Sequence, residues 1–142
     1  MKIRLLMLGK TRLPEIRSLI DEYVKRIHRS CAIEVTEVRD AEAARKKLDA
    51  DRAAVVVLLD AAGKGLDSNS FAKWLGQHRD RGTRELIFLC GDAEGFPDSL
   101  RQRVRERISL SAMTFSHELA RVMLAEQLYR AFAILSGSPY PK

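Results

Sequence analysis

Apolar side chains recur along this chain in two rhythms that alternate from end to end. Residues 3–8 form a short, mostly apolar run that stops at Gly9. A run of that length reads as a strand. Pro14 follows where a helix can begin, because its missing N–H is not needed in a first turn. Ile16, Leu19, Ile20, Tyr23, Val24 and Ile27 then recur at spacings of three and four, which predicts an amphipathic helix. Residues 31–38 read as a second strand, partly exposed, and 40–50 as a helix with a charged face. AAVVVLLD at 53–60 is continuous and rich in Val, the pattern of a strand buried on both faces. After the loop AAGKGLDSNS, Phe71, Trp74, Leu75 and His78 mark one helix face. Residues 85–90 are another apolar strand, stopped by Gly91-Asp92-Ala93-Glu94-Gly95. Leu100 and Val104 mark a short basic helix, 108–110 a last strand, and 116–135 a long final helix.

Strands alternating with helices imply an α/β domain with a largely parallel sheet. Ligands of such sheets bind where loops leave the C-terminal strand ends. Three loops qualify: 59–64, 91–95 and 110–116. No internal repeat, linker or low-complexity stretch interrupts the pattern. The tail after Gly137 is the one segment expected to be mobile.

Composition narrows the class. The 142 residues suit one domain spanning 1–142, and 46% hydrophobic residues supply a core. No apolar run reaches membrane-spanning length. Met1-Lys2-Ile3-Arg4-Leu5 lacks the features of a secretion signal, so a cytoplasmic protein is expected. Cys31 and Cys90 then read as free thiols rather than a disulfide. The net charge of +6 is compatible with RNA or DNA as partner, and equally with a mildly basic surface.

Several chemistries fail on spacing. Gly63-Lys64 looks like a piece of a phosphate loop, but position 58 is Leu and position 65 is Gly. The first strand is not followed by a dinucleotide-binding glycine pattern. His28, His78 and His117 are scattered and neither cysteine has ligand spacing, so no metal is expected. No serine nucleophile elbow occurs. Arg101 and Arg105 on one helix face, with Arg103 and Arg107 on another, read as an RNA footprint or as a solvated flank. Gly91 and Gly95 let the backbone approach a ligand closely, and loop N–H and C=O groups can recognise a neutral adenine.

LLDAAGK, then FLCGDAEG, then LSAMTFSHELARVMLAEQLYRA ending in SPYPK resembles the SPOUT superfamily of methyltransferases. More closely, the chain resembles the ribosomal RNA large subunit methyltransferase H family. The likeness covers essentially the whole chain, and the terminal segment is its most specific part. It implies a SPOUT-type parallel sheet with helices on both faces and a C-terminal deep trefoil knot, a topology otherwise nearly absent from proteins.

The resemblance also implies S-adenosylmethionine as methyl donor, held by Leu59, Gly91, Leu110, Ser111, Ala112, Met113, Thr114 and Phe115. It implies methylation of a pseudouridine at N3 in large-subunit ribosomal RNA, by a homodimer whose sites are completed across the interface. Leu119, Val122, Met123, Leu128, Tyr129, Phe132 and Leu135 cover more than one face of the last helix, as a dimer or a knot requires. The expected catalytic residues are His117, Arg130 and Tyr140, with Glu126 four residues before Arg130 on one helix face. Two departures stand out: Asp92 where the family has a second glycine, and Pro141-Lys142 where it has His and a basic residue. They leave a catalytically silent RNA-binding protein of the same fold as an alternative. An unknotted nucleotide-binding module is a third.

Overall fold

The computed structural model describes residues 1–140. Its elements run β1 (Lys2–Leu8), α1 (Pro14–Ile27), β2 (Ala32–Val38), α2 (Ala41–Ala50), β3 (Val55–Gly65), α3 (Ser68–Asp80), β4 (Glu85–Cys90), α4 (Asp98–Arg103), β5 (Glu106–Ser109) and α5 (His117–Ser136). The strands form one parallel sheet in the spatial order β2-β1-β4-β3-β5.

Strand parity divides the core in two. On β1, Ile3, Leu5 and Met7 point to one face of the sheet and Leu6 and Leu8 to the other. On β4, Leu86, Phe88 and Cys90 alternate in the same way with Ile87 and Leu89. The first face is covered by α1, α3 and α5 through Ile27, Phe71, Leu75, Leu124 and Leu128. The second is covered by α2 and α4 through Ala44, Leu48 and Leu100. Helices on both faces explain why β1 and β4 read as continuous apolar runs, while the edge strand β2 exposes Val35.

The helices start where local chemistry predicts. Pro14 opens α1. Asp40 accepts from Ala43 N at 2.9 Å, Asp67 from Ser70 N at 2.7 Å and Ser116 from Leu119 N at 3.3 Å, each capping its helix. Gly137 closes α5 in the left-handed region at φ 72°.

Four expectations need correction. First, β3 runs past residue 60 and through the whole of the expected 59–64 loop. Ile108 of β5 faces both Leu59 and Lys64, so the residues between them bulge out of register. Second, α4 ends at Arg103, and β5 begins before Arg107. The four arginines therefore form no helical stripe. Arg101 pairs with Asp60 and Arg103 with Asp49. Third, the tail folds back as far as Tyr140, with Ser138 N donating to Ala133 O at 2.9 Å and Tyr140 packed on Tyr129. Pro141 and Lys142 lie outside the described residues. Fourth, Cys31 precedes β2 rather than sitting in it; both cysteines are free. Among the described residues no helix is long and apolar enough to cross a membrane.

Candidate active site

β4 and β5 deliver their C-terminal ends, and β3 its bulged stretch, to one cleft of about 270 Å³. Leu59, Asp60 and Ala61 come from β3, and Cys90, Gly91, Asp92, Gly95 and Phe96 from the end of β4 and its loop. Ser109, Leu110, Ser111, Met113, Thr114 and Phe115 follow β5, and His117 and Ala120 open α5. Of the expected donor contacts, all but Ala112 line this cleft; Ala112 is exposed beside it. A second hollow of about 350 Å³ shares the wall 109–111 and Phe115, and is floored by Leu66, Phe71 and Met123.

Each loop is shaped by its own polar groups. Asp60, with a side chain only 6% exposed, pairs with Arg101 and also accepts from Ala62 N at 3.1 Å. Arg101 Nε donates to Phe96 O at 3.4 Å, so one guanidinium ties the β3 exit to the β4–α4 loop. Sequence reasoning missed this pair; the one local signal was an acid closing the run AAVVVLLD. In the second loop the exposed Asp92 caps its own turn. Its carboxylate accepts from Glu94 N at 2.9 Å and its carbonyl from Gly95 N at 3.0 Å. Gly95 supplies the positive φ of 77° that this turn needs. A Cβ at Gly91 would meet the Phe96 ring at 3.3 Å, so its small size serves the aromatic wall as well as the open cleft. In the third loop Ser109 Oγ donates to Ser111 O at 2.9 Å, and Ser111 Oγ accepts from Met113 N at 2.9 Å. Cys90 lines the cleft as an inert group, because burial pushes its thiol up to about 12.

His117 is the first residue of α5, at the mouth of the cleft, with Nε2 4.0 Å from Glu118 Oε2. Glu118 reaches away from the cleft. Its carboxylate accepts from Leu13 N at 3.0 Å and Arg12 N at 2.9 Å. The bond from Leu13, outweighing desolvation, holds this carboxyl below the usual range. One turn on, the fully buried Arg121 donates to Leu8 O, Gly9 O and Thr11 Oγ1 at 2.5, 3.1 and 2.9 Å.

Arg130 and Tyr140 form a separate cluster. Glu126 accepts from Arg130 Nη2 at 2.8 Å and from Tyr140 Oη at 2.7 Å. The Arg130 guanidinium lies 5.5 Å from the Tyr140 ring centre, and the Tyr129 and Tyr140 rings meet at 4.5 Å. Burial, then donation to Glu126, pushes the Tyr140 phenol up and keeps it protonated. The i,i+4 contact of Glu126 with Arg130 follows from helix periodicity; its second partner, on the tail, does not. Thirteen residues of helix separate His117 from Arg130, roughly 20 Å at 1.5 Å per residue. One chain therefore does not bring the three expected catalytic residues together. Among the described residues no group of three or more His, Cys, Asp or Glu side chains is placed to hold a metal.

Comparison with known proteins agrees with this layout. The family profile described as predicted SPOUT methyltransferase matches residues 1–141. The chain is 42% identical to a ribosomal RNA large subunit methyltransferase H of Trichlorobacter lovleyi, over 99% of both chains. It is also 42% identical to the protein of that name from Koribacter versatilis, over 99% of this chain and 97% of the other. Among solved structures, a probable methylase family protein from Haemophilus influenzae superposes with a TM-score of 0.61 at 10% identity, over 99% of this chain and 70% of the other. The SpoU methyltransferase AviRb of Streptomyces viridochromogenes, solved with AdoMet, superposes at 0.52 and 13% identity, over 97% of this chain and 61% of the other. At those identities the structural likeness speaks for the fold alone.

Proposed function

The chain belongs to the SPOUT methyltransferase family, and on that premise we propose that it methylates N3 of a pseudouridine in large-subunit ribosomal RNA, using S-adenosylmethionine. The observation that carries this reading is the meeting of three neighbouring strands in one cleft walled by backbone and apolar side chains, in a chain alike over its full length to enzymes named for ribosomal RNA methylation.

The cleft fits a nucleoside donor. Its volume lies near the lower end of small-ligand pockets, roughly 300 Å³ and upward. Leu59, Phe96, Leu110 and Phe115 give it apolar walls suited to adenine, and the turns around Gly91 and Ser111 bring main-chain polar groups to its rim. When bound, the donor supplies an already activated methyl group on a sulfonium.

What remains for the protein is positioning and proton management. His117 stands at the cleft mouth, where donor and RNA meet. Arg130 offers its charge to the base carbonyls as negative charge develops on them, and Tyr140 offers a ring face against the target base. Because Arg130 and Tyr140 sit far along α5 from His117, each cleft needs these groups from a second copy. A homodimer supplies them. Leu119 and Met123 on α5, 49% and 37% exposed, and Leu19 on α1 supply apolar surface for that contact. Residues 1–142 act in this reading as one cytoplasmic domain, with the C-terminal segment threaded as a trefoil knot.

The test is direct. The purified protein is incubated with methyl-labelled S-adenosylmethionine and large ribosomal subunits that lack this methyl group. Mass spectrometry of the RNA then locates the label. One N3-methylated pseudouridine per subunit is expected. Donor and subunit binding without methyl transfer would refute the enzyme and leave an RNA-binding protein of the same fold.

A further inference from the structure

The loop joining β1 to α1, residues 9–13, is bonded on nearly every side. Arg121 takes the carbonyls of Leu8 and Gly9 and the hydroxyl of Thr11. Glu118 takes the N–H groups of Arg12 and Leu13. From the opposite side Glu37 accepts from Thr11 N at 2.6 Å, and Arg17 donates to Thr11 O at 2.8 Å. Free surface loops seldom commit so many backbone groups to side chains of other elements. Holding a loop this firmly reduces the entropy lost when a ligand binds it.

Two side chains on this loop are left free. Thr11 is buried, while its neighbours Lys10 and Arg12 are exposed, as alternation along extended chain requires. Among the described residues neither Lys10 nor Arg12 meets a carboxylate, whereas Arg17 on the adjoining helix pairs with Glu37. Their location is what gives them meaning. Glu118 Oε2 accepts from Arg12 N at 2.9 Å and lies 4.0 Å from His117 Nε2. The Arg12 backbone N–H thus lies no more than about 7 Å from the ring at the mouth of the cleft.

We propose that Lys10 and Arg12 are phosphate contacts of the RNA-binding surface, held on a preformed loop so that they grip the backbone beside the target nucleotide. The inference rests on the ribosomal RNA reading above. The recognised chemistry is a polyanionic single-stranded or looped RNA backbone. Such contacts fix register without reading sequence, and they make binding depend on salt.

The full chain carrying Lys10→Gln and Arg12→Gln tests this. Its binding to large ribosomal subunits is measured over a range of salt beside the wild type. A second variant, Lys46→Gln with Lys47→Gln, removes the same charge from exposed positions on α2. The loop variant is expected to bind subunits about tenfold more weakly at low salt, with a log–log salt slope shallower by about 1.5 for two lost contacts. Its affinity for S-adenosylmethionine and its melting temperature should match the wild type. Equal weakening by both double variants, or an unchanged salt slope in the loop variant, would overturn the inference while leaving the function intact. Loss of donor affinity together with RNA affinity would also overturn it, since the loop would then be shaping the cleft. A wild type that binds no subunits would remove both.

Discussion

Gly63 is where a single methyl group should separate the cleft's scaffold from its chemistry. It lies in the bulge of β3, and a Cβ built there falls 2.8 Å from Arg107 C and Ile108 N and 3.0 Å from Arg107 O. All three are backbone atoms, so no rotamer change can relieve the contact. Gly63→Ala must push β3 and β5 apart. Overpacking of this kind costs about 1–3 kcal/mol. For a chain of this size each kcal/mol lowers the melting temperature by about 2–4 °C, so a drop of about 2–12 °C is expected. Gly65, two residues along the same strand, has nothing within 4 Å of its Cβ position and no positive φ. Gly65→Ala should be neutral, or stabilising by about 0.4–1 kcal/mol through a less flexible unfolded chain. β5 leads directly into Leu110 and Ser111, so Gly63→Ala should also weaken donor binding at least several-fold, and Gly65→Ala should not. Thermal melts and calorimetry with S-adenosylmethionine on the two variants decide the matter. Equal melting temperatures, or normal donor affinity in a destabilised Gly63→Ala, would refute the claim that close approach of these strands shapes the cleft.

Removing the shared acceptor of the tail cluster should separate turnover from cofactor binding. Glu126→Ala frees both Arg130 and Tyr140 and is expected to lower methyl transfer more than tenfold, with donor affinity unchanged by calorimetry. Glu118 should show itself in the acid limb. Its folded carboxyl titrates below the ordinary value, so its contribution is present above the unfolded pKa and disappears as pH falls through the folded one. Glu118→Gln should therefore melt lower than the wild type at pH 7, with the two converging below about pH 4, near the ordinary carboxyl value. Parallel melting curves across that range would mean the carboxylate is not what anchors the β1–α1 loop.

The order of strands and helices was legible in the sequence because it depends on local pattern. Runs such as VVVLL read as strand covered on both faces, and Pro14 and Ser116 mark the starts of the first and last helices through local chemistry. That the segments following β4 and β5 line the cleft followed from parallel topology, and the residues LSAMTFSHELARV and SPY carried the family likeness. Tertiary structure alone decided what depends on partners distant in the chain. The extension of β3 through its bulge is set by pairing with β5. The grip of Arg101 on Asp60 joins positions 41 apart in sequence, and that of Glu118 and Arg121 on the first loop joins positions more than 100 apart. The return of Tyr140 to Glu126 skips three turns of helix. Periodicity reports which face of an element is apolar. It cannot report which buried charge will meet which backbone group, because that choice is made only when the elements pack and each polar atom must find a partner or bear the cost of desolvation.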